Sequence, residues 1–308
     1  MLAILLALAA SAFAAPLDRL SRRDMKHRVT DITIHESCST PQRRMIGKGL
    51  QEAMEVAAFA KDYIATNGPS DPVFKLYFGD KKEAYPAAMG AYDVLLDSNK
   101  DGVIFRCDDP DGNCHQPGWR GHWRGENATL ETVICPASYT DRVYNAAFCM
   151  NGFVLAEQKP SLYWSVDLIH RLYHVLGNEA ISHYAEDLGD VIRLARDNST
   201  YSPIDSDAVQ YFAAHVYALE VAQGGDACVG DIAGKANEKP ADKPAPAPAS
   251  SASTPAVAPA QSSPPAPATS SEAAAPATSE AAPTPAAAQA SGTDCHTHAD
   301  GSVHCGSH

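Results

Sequence analysis

Pro160-Ser161-Leu162-Tyr163-Trp164-Ser165-Val166-Asp167-Leu168-Ile169-His170-Arg171-Leu172-Tyr173-His174-Val175-Leu176-Gly177 is the stretch on which the reading of the fold turns. A proline just before and a glycine just after bracket a helix over residues 161–176. On such a helix His170 and His174, four positions apart, share one face and can grip one metal ion. A bare pair is weak evidence, because the chain has 12 histidines and His304 and His308 repeat the spacing. The context strengthens it. A second helix, expected over residues 180–196 after the Gly177 turn, carries His183, Glu186, Asp187 and Asp190, and a helix-turn-helix can set that group opposite the pair. Zinc peptidases carry Glu after the first histidine, where it takes a proton from metal-bound water. Here that position is Arg171, whose guanidinium stays charged and cannot act as a base. It is left either to hold an anion near the metal or to face solvent.

Around this pair, helices are expected over residues 42–66, 83–96 and 206–223, the first with a stripe of Ile46, Leu50, Met54 and Ala58. Residues 103–105 and 132–134 look like short strands flanking a Cys/Gly-rich loop. Many helices with a small sheet make an α+β domain over residues 24–233. Asp97-Ser98-Asn99-Lys100-Asp101-Gly102 resembles a calcium loop. A strand rather than a helix follows it, so the plainer reading is a turn built from turn-forming residues. His115 and His122, beside Trp119 and Trp123, read as loop packing, and His215 as a structural histidine.

Residues 1–15 read as a secretory signal, with an apolar run from Leu2 to Leu8 and Ala12-Phe13-Ala14 as the cleavage site. Arg22-Arg23 is either a dibasic processing point or two solvated arginines. Asn127-Ala128-Thr129 and Asn198-Ser199-Thr200 are glycosylation sequons compatible with export. Six of the eight cysteines lie in the domain, and in an oxidising compartment they form three disulfides. Cys107 with Cys114 would close a short loop, and Cys38 with Cys228 would tie the ends together. The net charge of −13 and the lack of a basic stripe argue against nucleic acid. No segment is long and apolar enough to span a bilayer.

From residue 234 to 292 the chain is nearly all Pro, Ala, Ser, Thr, Glu and Lys. Such a stretch cannot bury enough surface to offset its ordering entropy and reads as an extended stalk, O-glycosylated, with a reach on the order of 100 Å. Beyond it, residues 293–308 hold Cys295-His296-Thr297-His298-Ala299-Asp300-Gly301-Ser302-Val303-His304-Cys305. Imidazole and thiolate are preferred zinc ligands. Reduced, Cys295 and Cys305 with two histidines would make a Cys₂His₂ site. Oxidised, they would close a ring that presents His296, His298 and His304, with Asp294 and Asp300 able to complete the shell. Outside a cell the ring is the expected form.

Three segments together carry a family resemblance: Val103-Ile104-Phe105-Arg106-Cys107-Asp108-Asp109-Pro110-Asp111-Gly112-Asn113-Cys114, the His-Arg-x-x-His helix with His183-Tyr184-Ala185-Glu186, and the terminal Cys-His cluster. They resemble the fungal pH-regulated antigens, secreted zinc scavengers or zincophores, and the related fungal allergens. These in turn are similar to the deuterolysin zinc peptidases, so the resemblance implies a degenerate, mostly helical zincin-like domain. It further implies a secreted or cell-surface protein that binds zinc and returns it to a cell-surface zinc transporter, and that in pathogenic relatives binds host complement regulators. By position it makes His170 and His174 ligands, with Glu186 standing where relatives usually have Asp; His183 rivals Glu186 as the third ligand. The expected function is zinc capture, falling off below about pH 6 because ligating imidazoles must be neutral. A secreted metallopeptidase and a host-binding antigen are the alternatives.

Overall fold

The computed structural model describes residues 32–176, 181–185 and 187–237, together with the backbone of residues 295–297 and 303–305. The expected signal sequence, Arg22-Arg23, Glu186, the stalk, Asp294, His298 and Asp300 lie outside the described residues.

The longest helix, α1 (Thr40–Asn67), organises the domain. At its start Gln42 Oε1 accepts the Ser39 amide at 2.8 Å, half of a capping box. Gly68, at φ 75°, ends it and returns its amide to Ile64 O at 2.9 Å. Its buried face includes Ile46, Gly49, Leu50, Ala53, Met54, Ala57, Ala60 and Ile64, where Gly49 and the three alanines let neighbouring helices approach. Packed against it are α3 (Ala84–Asp97), α4 (Trp164–Leu176) and α6 (Ser206–Val216). The remaining longer helices are α2 (Pro72–Phe78), capped by Asp71, and α5 (Leu188–Asp197), capped by Asp187. A π-helical turn, Tyr217–Val221, extends α6.

Four strands form a sheet in the order β1-β2-β4-β3: β1 (Thr33–Ile34), β2 (Ile104–Arg106), β3 (Gly121–Trp123) and β4 (Glu131–Ile134). The first three in that order run parallel, and β3 pairs antiparallel with β4 as Gly121↔Ile134, His122↔Val133 and Trp123↔Thr132. The fold is thus α+β, mostly helical with a small sheet. In the tail, β5 (Cys295–Thr297) and β6 (Val303–Cys305) make a separate antiparallel hairpin.

Several expectations are corrected. The disulfides are Cys38–Cys107, Cys114–Cys135 and Cys149–Cys228, with Cα separations of 4.9, 5.4 and 5.2 Å. Neither Cys107–Cys114 nor Cys38–Cys228 forms. The first bridge ties the start of α1 to the end of β2, a long-range neighbour that spacing in the sequence does not reveal. The second helix of the expected helix-turn-helix begins only at Leu188, because Asp187 caps it there by accepting the Asp190 amide at 2.8 Å. The plainer reading of residues 97–102 holds: they form a helix-to-strand turn in which Asn99 Oδ1 accepts the Asp101 amide and Lys61 pairs with Asp97. His122 sits on strand β3 rather than in a loop.

Gly49 sets the α1–α4 spacing. A Cβ there would lie 2.7 Å from Leu168 Cδ1 and 3.0 Å from Trp164 Cβ. Gly49→Leu is expected to destabilise the domain by about 1–3 kcal/mol through overpacking, read as a lower urea midpoint.

His215 is 6% exposed, and its Nδ1 lies 3.1 Å from the Tyr77 hydroxyl. Burial pulls its imidazole down to about 4, against a smaller upward pull from the charge of Asp71. The unfolded chain then binds the extra proton first as pH falls. The neutral-histidine contribution is therefore complete above about pH 6.5, is lost progressively as pH drops toward 4, and levels off below. The loss amounts to roughly 3 kcal/mol. The wild-type stability curve, measured by urea unfolding between these limits, should be steeper than that of His215→Gln by this amount. Parallel curves would refute the assignment.

Candidate metal centre

Helix α4 presents His170 and His174 on the face turned toward α6, and the segment after the helix brings in His183. The Nε2 atoms of His174 and His170 are 3.1 Å apart, and those of His183 and His174 are 3.3 Å apart. One ligand atom from each of the three residues falls within 4.8 Å of the others. Nitrogens 2.0–2.1 Å from a tetrahedral zinc ion would stand about 3.3–3.4 Å apart. The separations of His174 from each of the other two rings therefore match those around a shared zinc ion.

Helix α6 supplies the groups that orient these rings. Asp207 Oδ2 lies 3.2 Å from His183 Nδ1, and Ser206 Oγ lies 2.9 Å from the same atom. A Nδ1–H donated to this carboxylate leaves Nε2 as the lone pair that faces the other rings, the usual arrangement behind a metal-bound histidine. The Gln210 side-chain amide contacts His170 Nδ1 at 2.8 Å. Trp123, from β3, stacks on His174 with ring centroids 5.7 Å apart and planes 13° from parallel. The His170 and His183 side chains are buried, and His174 is half-buried.

Asp205 holds the two halves of the centre together. It is fully buried and accepts the amides of Tyr184 at 2.7 Å, Ala185 at 3.0 Å and Ala208 at 2.7 Å. Burial, with Asp207 nearby, pushes its carboxyl up to about 7 against the pull of these amides and of His183.

Of the residues expected opposite the pair, only His183 arrives among the described residues. Asp187 caps α5, and Asp190 pairs with Arg193. Asp207, Gln210, Asp205 and Trp123 were not foreseen. The one sequence signal for any of them was an Asp just before a helix, which marks Asp205 as an N-cap.

Arg171 neither faces solvent nor holds a free anion. It is 3% exposed. Its Nε donates to Asp167 Oδ2 at 2.8 Å, and its Nη1 reaches Val133 O at 3.4 Å. Arg142 donates to the same fully buried carboxylate. The guanidinium lies against the backbone of β3 at Gly121, where a Cβ would come within 2.5 Å of Nη1 and 2.3 Å of Val133 O. The position that holds the proton acceptor in a zinc peptidase thus ties helix α4 to the sheet. A second group, His122 with Cys114 and Cys135, also clusters within 4.8 Å, but both sulfurs are committed to a disulfide.

Residues 9–231 match the family described as "HRXXH: Putative peptidase family". The chain belongs to the HRXXH family. It is 46% identical over 208 residues to the major allergen Asp f 2 of Aspergillus fumigatus, a match covering 67% of this chain and 66% of the relative. It is 36% identical over 205 residues to the pH-regulated antigen PRA1 of Candida albicans, covering 66% of this chain and 68% of the relative. The resemblance drawn from the motifs therefore holds. Among solved structures, a zinc peptidase from Grifola frondosa is similar at 15% identity and a TM-score of 0.45, covering 58% of this chain and 97% of that one. That likeness is too distant to carry an argument about the site. The motif after which the HRXXH family is named is His170-Arg171-Leu172-Tyr173-His174 in this chain.

Arg171→Glu is expected to leave Asp167 facing a second carboxylate in a buried site, at a cost of about 3–5 kcal/mol. A urea midpoint equal to that of the wild type would show that the Arg171–Asp167 pair is not structural.

Proposed function

We propose that this is an exported zinc-binding protein whose folded domain holds the ion through His170, His174 and His183. The observation that supports the reading is that His174 Nε2 lies 3.1 Å from His170 Nε2 and 3.3 Å from His183 Nε2, close to the ligand spacing around a shared zinc ion. His183 takes the third place on this reading, and Glu186 remains a further carboxylate ligand within reach in sequence. In the tail, Cys295 and Cys305 close the ring and His296, His298 and His304 bind zinc. Cys295 stands across from Cys305 in the hairpin register, as such a ring needs.

Export rests on the apolar N-terminal run and on the family's antigens and allergens, among them the two relatives named above. None of the described helices is long and apolar enough to cross a membrane. Delivery of the captured ion to a cell-surface transporter, and contact with host complement regulators, follow from the family resemblance. A peptidase is the second reading, favoured by the family's description and by the intact histidine pair. Against it stands Arg171, since a general base is typically worth 10²–10⁴-fold in rate.

Native mass spectrometry with zinc competition titration tests the proposal. His174→Ala should remove one zinc equivalent from the full chain. Asp207→Asn should weaken that equivalent by about 10–100-fold while retaining it. An unchanged zinc count in a folded His174→Ala protein would refute the site. Chelator-sensitive cleavage of casein by the pure wild type, absent in His174→Ala, would establish the peptidase instead.

A further inference from the structure

Helix α5 runs out into the sequon Asn198-Ser199-Thr200, and the folded chain fixes its backbone from three sides. Asn198 donates its amide to Leu194 O at 2.8 Å, and its carbonyl accepts the Tyr201 amide at 3.1 Å. Ser199 is buried against Gly79, where a Cβ would lie 2.3 Å from the Ser199 Cβ. Thr200 Oγ1 accepts a hydrogen bond from Lys81 Nζ at 2.7 Å. Three residues beyond Asn198, Tyr201 stacks on Tyr184, with ring centroids 4.7 Å apart and planes 28° from parallel. The two rings nevertheless remain 41% and 47% exposed. A stacked pair with that much surface in water is an aromatic platform with one face still to be covered.

The sequon and the platform share one groove. Tyr184, Leu194 and Asn198 line an open hollow of about 380 Å³, and Asp190, Arg193 and Asp197 add charged groups to its wall. That volume is in the range of small-molecule sites. An aromatic face beside groups that donate and accept hydrogen bonds suits a pyranose ring. The sugar's C–H face lies on the aromatic ring, and its hydroxyl and acetamido groups turn to the polar wall. Asn198 can place such a ring there covalently. We propose that Asn198 carries an N-linked glycan whose first sugar lies in this groove against the Tyr184–Tyr201 pair and braces the segment that bears His183. This rests on the export part of the reading given above and deepens it.

The attachment is the ordinary chemistry of the secretory route. The co-reactant is an oligosaccharide linked to a lipid pyrophosphate. Asn198 Nδ2 attacks its anomeric carbon, the N–C bond forms and the C–O bond to pyrophosphate breaks. The lipid pyrophosphate leaves, and the amide gives up one proton. A sugar bonded to the groove's own wall is confined close to its site, so little further freedom is lost when it settles on the rings. Its effect reaches past the surface. Tyr184 follows His183 directly, and the Tyr184 and Ala185 amides are the ones that Asp205 accepts at 2.7 and 3.0 Å. A sugar seated over the Tyr184 ring holds the same short segment from outside that Asp205 holds from inside.

The test uses the full chain expressed with its own N-terminal segment in a fungal host and collected from the medium. Peptide mapping by mass spectrometry should find Asn198 glycosylated. The glycan is then trimmed by an endoglycosidase that leaves one N-acetylglucosamine, and amide exchange at Tyr184 and Ala185 is compared with that of Asn198→Gln. Exchange in the trimmed wild type should be slower by about ten-fold. Asn127→Gln, which removes the other sequon, should exchange like the wild type. In a Tyr201→Ala background, Asn198→Gln should make no further difference, because the platform is gone. Equal exchange with and without the Asn198 sugar overturns the proposal, as does protection that survives Tyr201→Ala or is lost equally in Asn127→Gln. Retention of the chain inside the cell would defeat the export reading and the glycan with it, whereas export with Asn198 bare defeats the glycan alone.

Discussion

Three imidazole nitrogens can converge only if the segments that carry them are held in fixed relation, and one buried carboxylate does this. Asp205 caps α6 through the Ala208 amide and, with its other oxygen, holds the Tyr184 and Ala185 amides that follow His183. Three charge-assisted hydrogen bonds offset the desolvation of a carboxylate that has no exposure. The consequence is geometric. The segment bearing His183 is pinned to the start of the same helix that carries Asp207 and Gln210, so the third ring and the groups behind the rings move as one body. Helix α4 is fixed independently, by its contact with α1 at Gly49 and by the Asp167 pairing with Arg142 and Arg171. The three rings are therefore held by two rigid parts, helix α4 and the segment pinned to the start of α6.

The Arg171 arrangement shows how a catalytic position can become a structural one. On helix α4 the side chain after His170 points toward the sheet, not toward solvent: the guanidinium of Arg171 reaches the carbonyl of Val133 and takes its counter-charge from Asp167, one turn back. Gly121 completes the change, because any side chain there would collide with the guanidinium. Three positions far apart in sequence thus depend on one another. Restoring a glutamate at position 171 alone would not restore a base in the right place. It would leave a repelling pair of carboxylates.

This dependence also explains how much was legible beforehand. Local signals served well. The helix carrying His170 and His174, the stripe of α1, the strands near 104 and 132, and the hydrophobic setting of His215 all follow from short-range pattern. The family motifs placed the chain among its relatives. What failed was long-range. Disulfide partners are chosen by the sheet, which brings Cys107 at the end of β2 against Cys38 before α1, and no spacing rule encodes that. Strand β3 was missed because a three-residue Gly-His-Trp segment has no period to read. The acidic residues expected beside His183 were misplaced by one cap. Asp187 ends the loop and starts a helix, turning Asp190 toward Arg193 and away from the rings. Asp207 and Gln210 act on the site from a helix more than thirty residues further along than α4, where only tertiary structure connects them to His170 and His183.

The chemistry of the centre bears on what it is suited to do. On the three-histidine reading, the neutral rings would leave the +2 charge of a zinc ion uncancelled by the rings themselves. The carboxylate directly behind the rings is Asp207, 3.2 Å from His183 Nδ1. A site built from thiolates would neutralise the ion directly and hold it more permanently, as structural zinc sites do. A neutral-nitrogen site with its negative charge held at second remove binds firmly at neutral pH yet yields to protons and to competing imidazoles. Those are poor properties for a structural ion and good ones for a cargo.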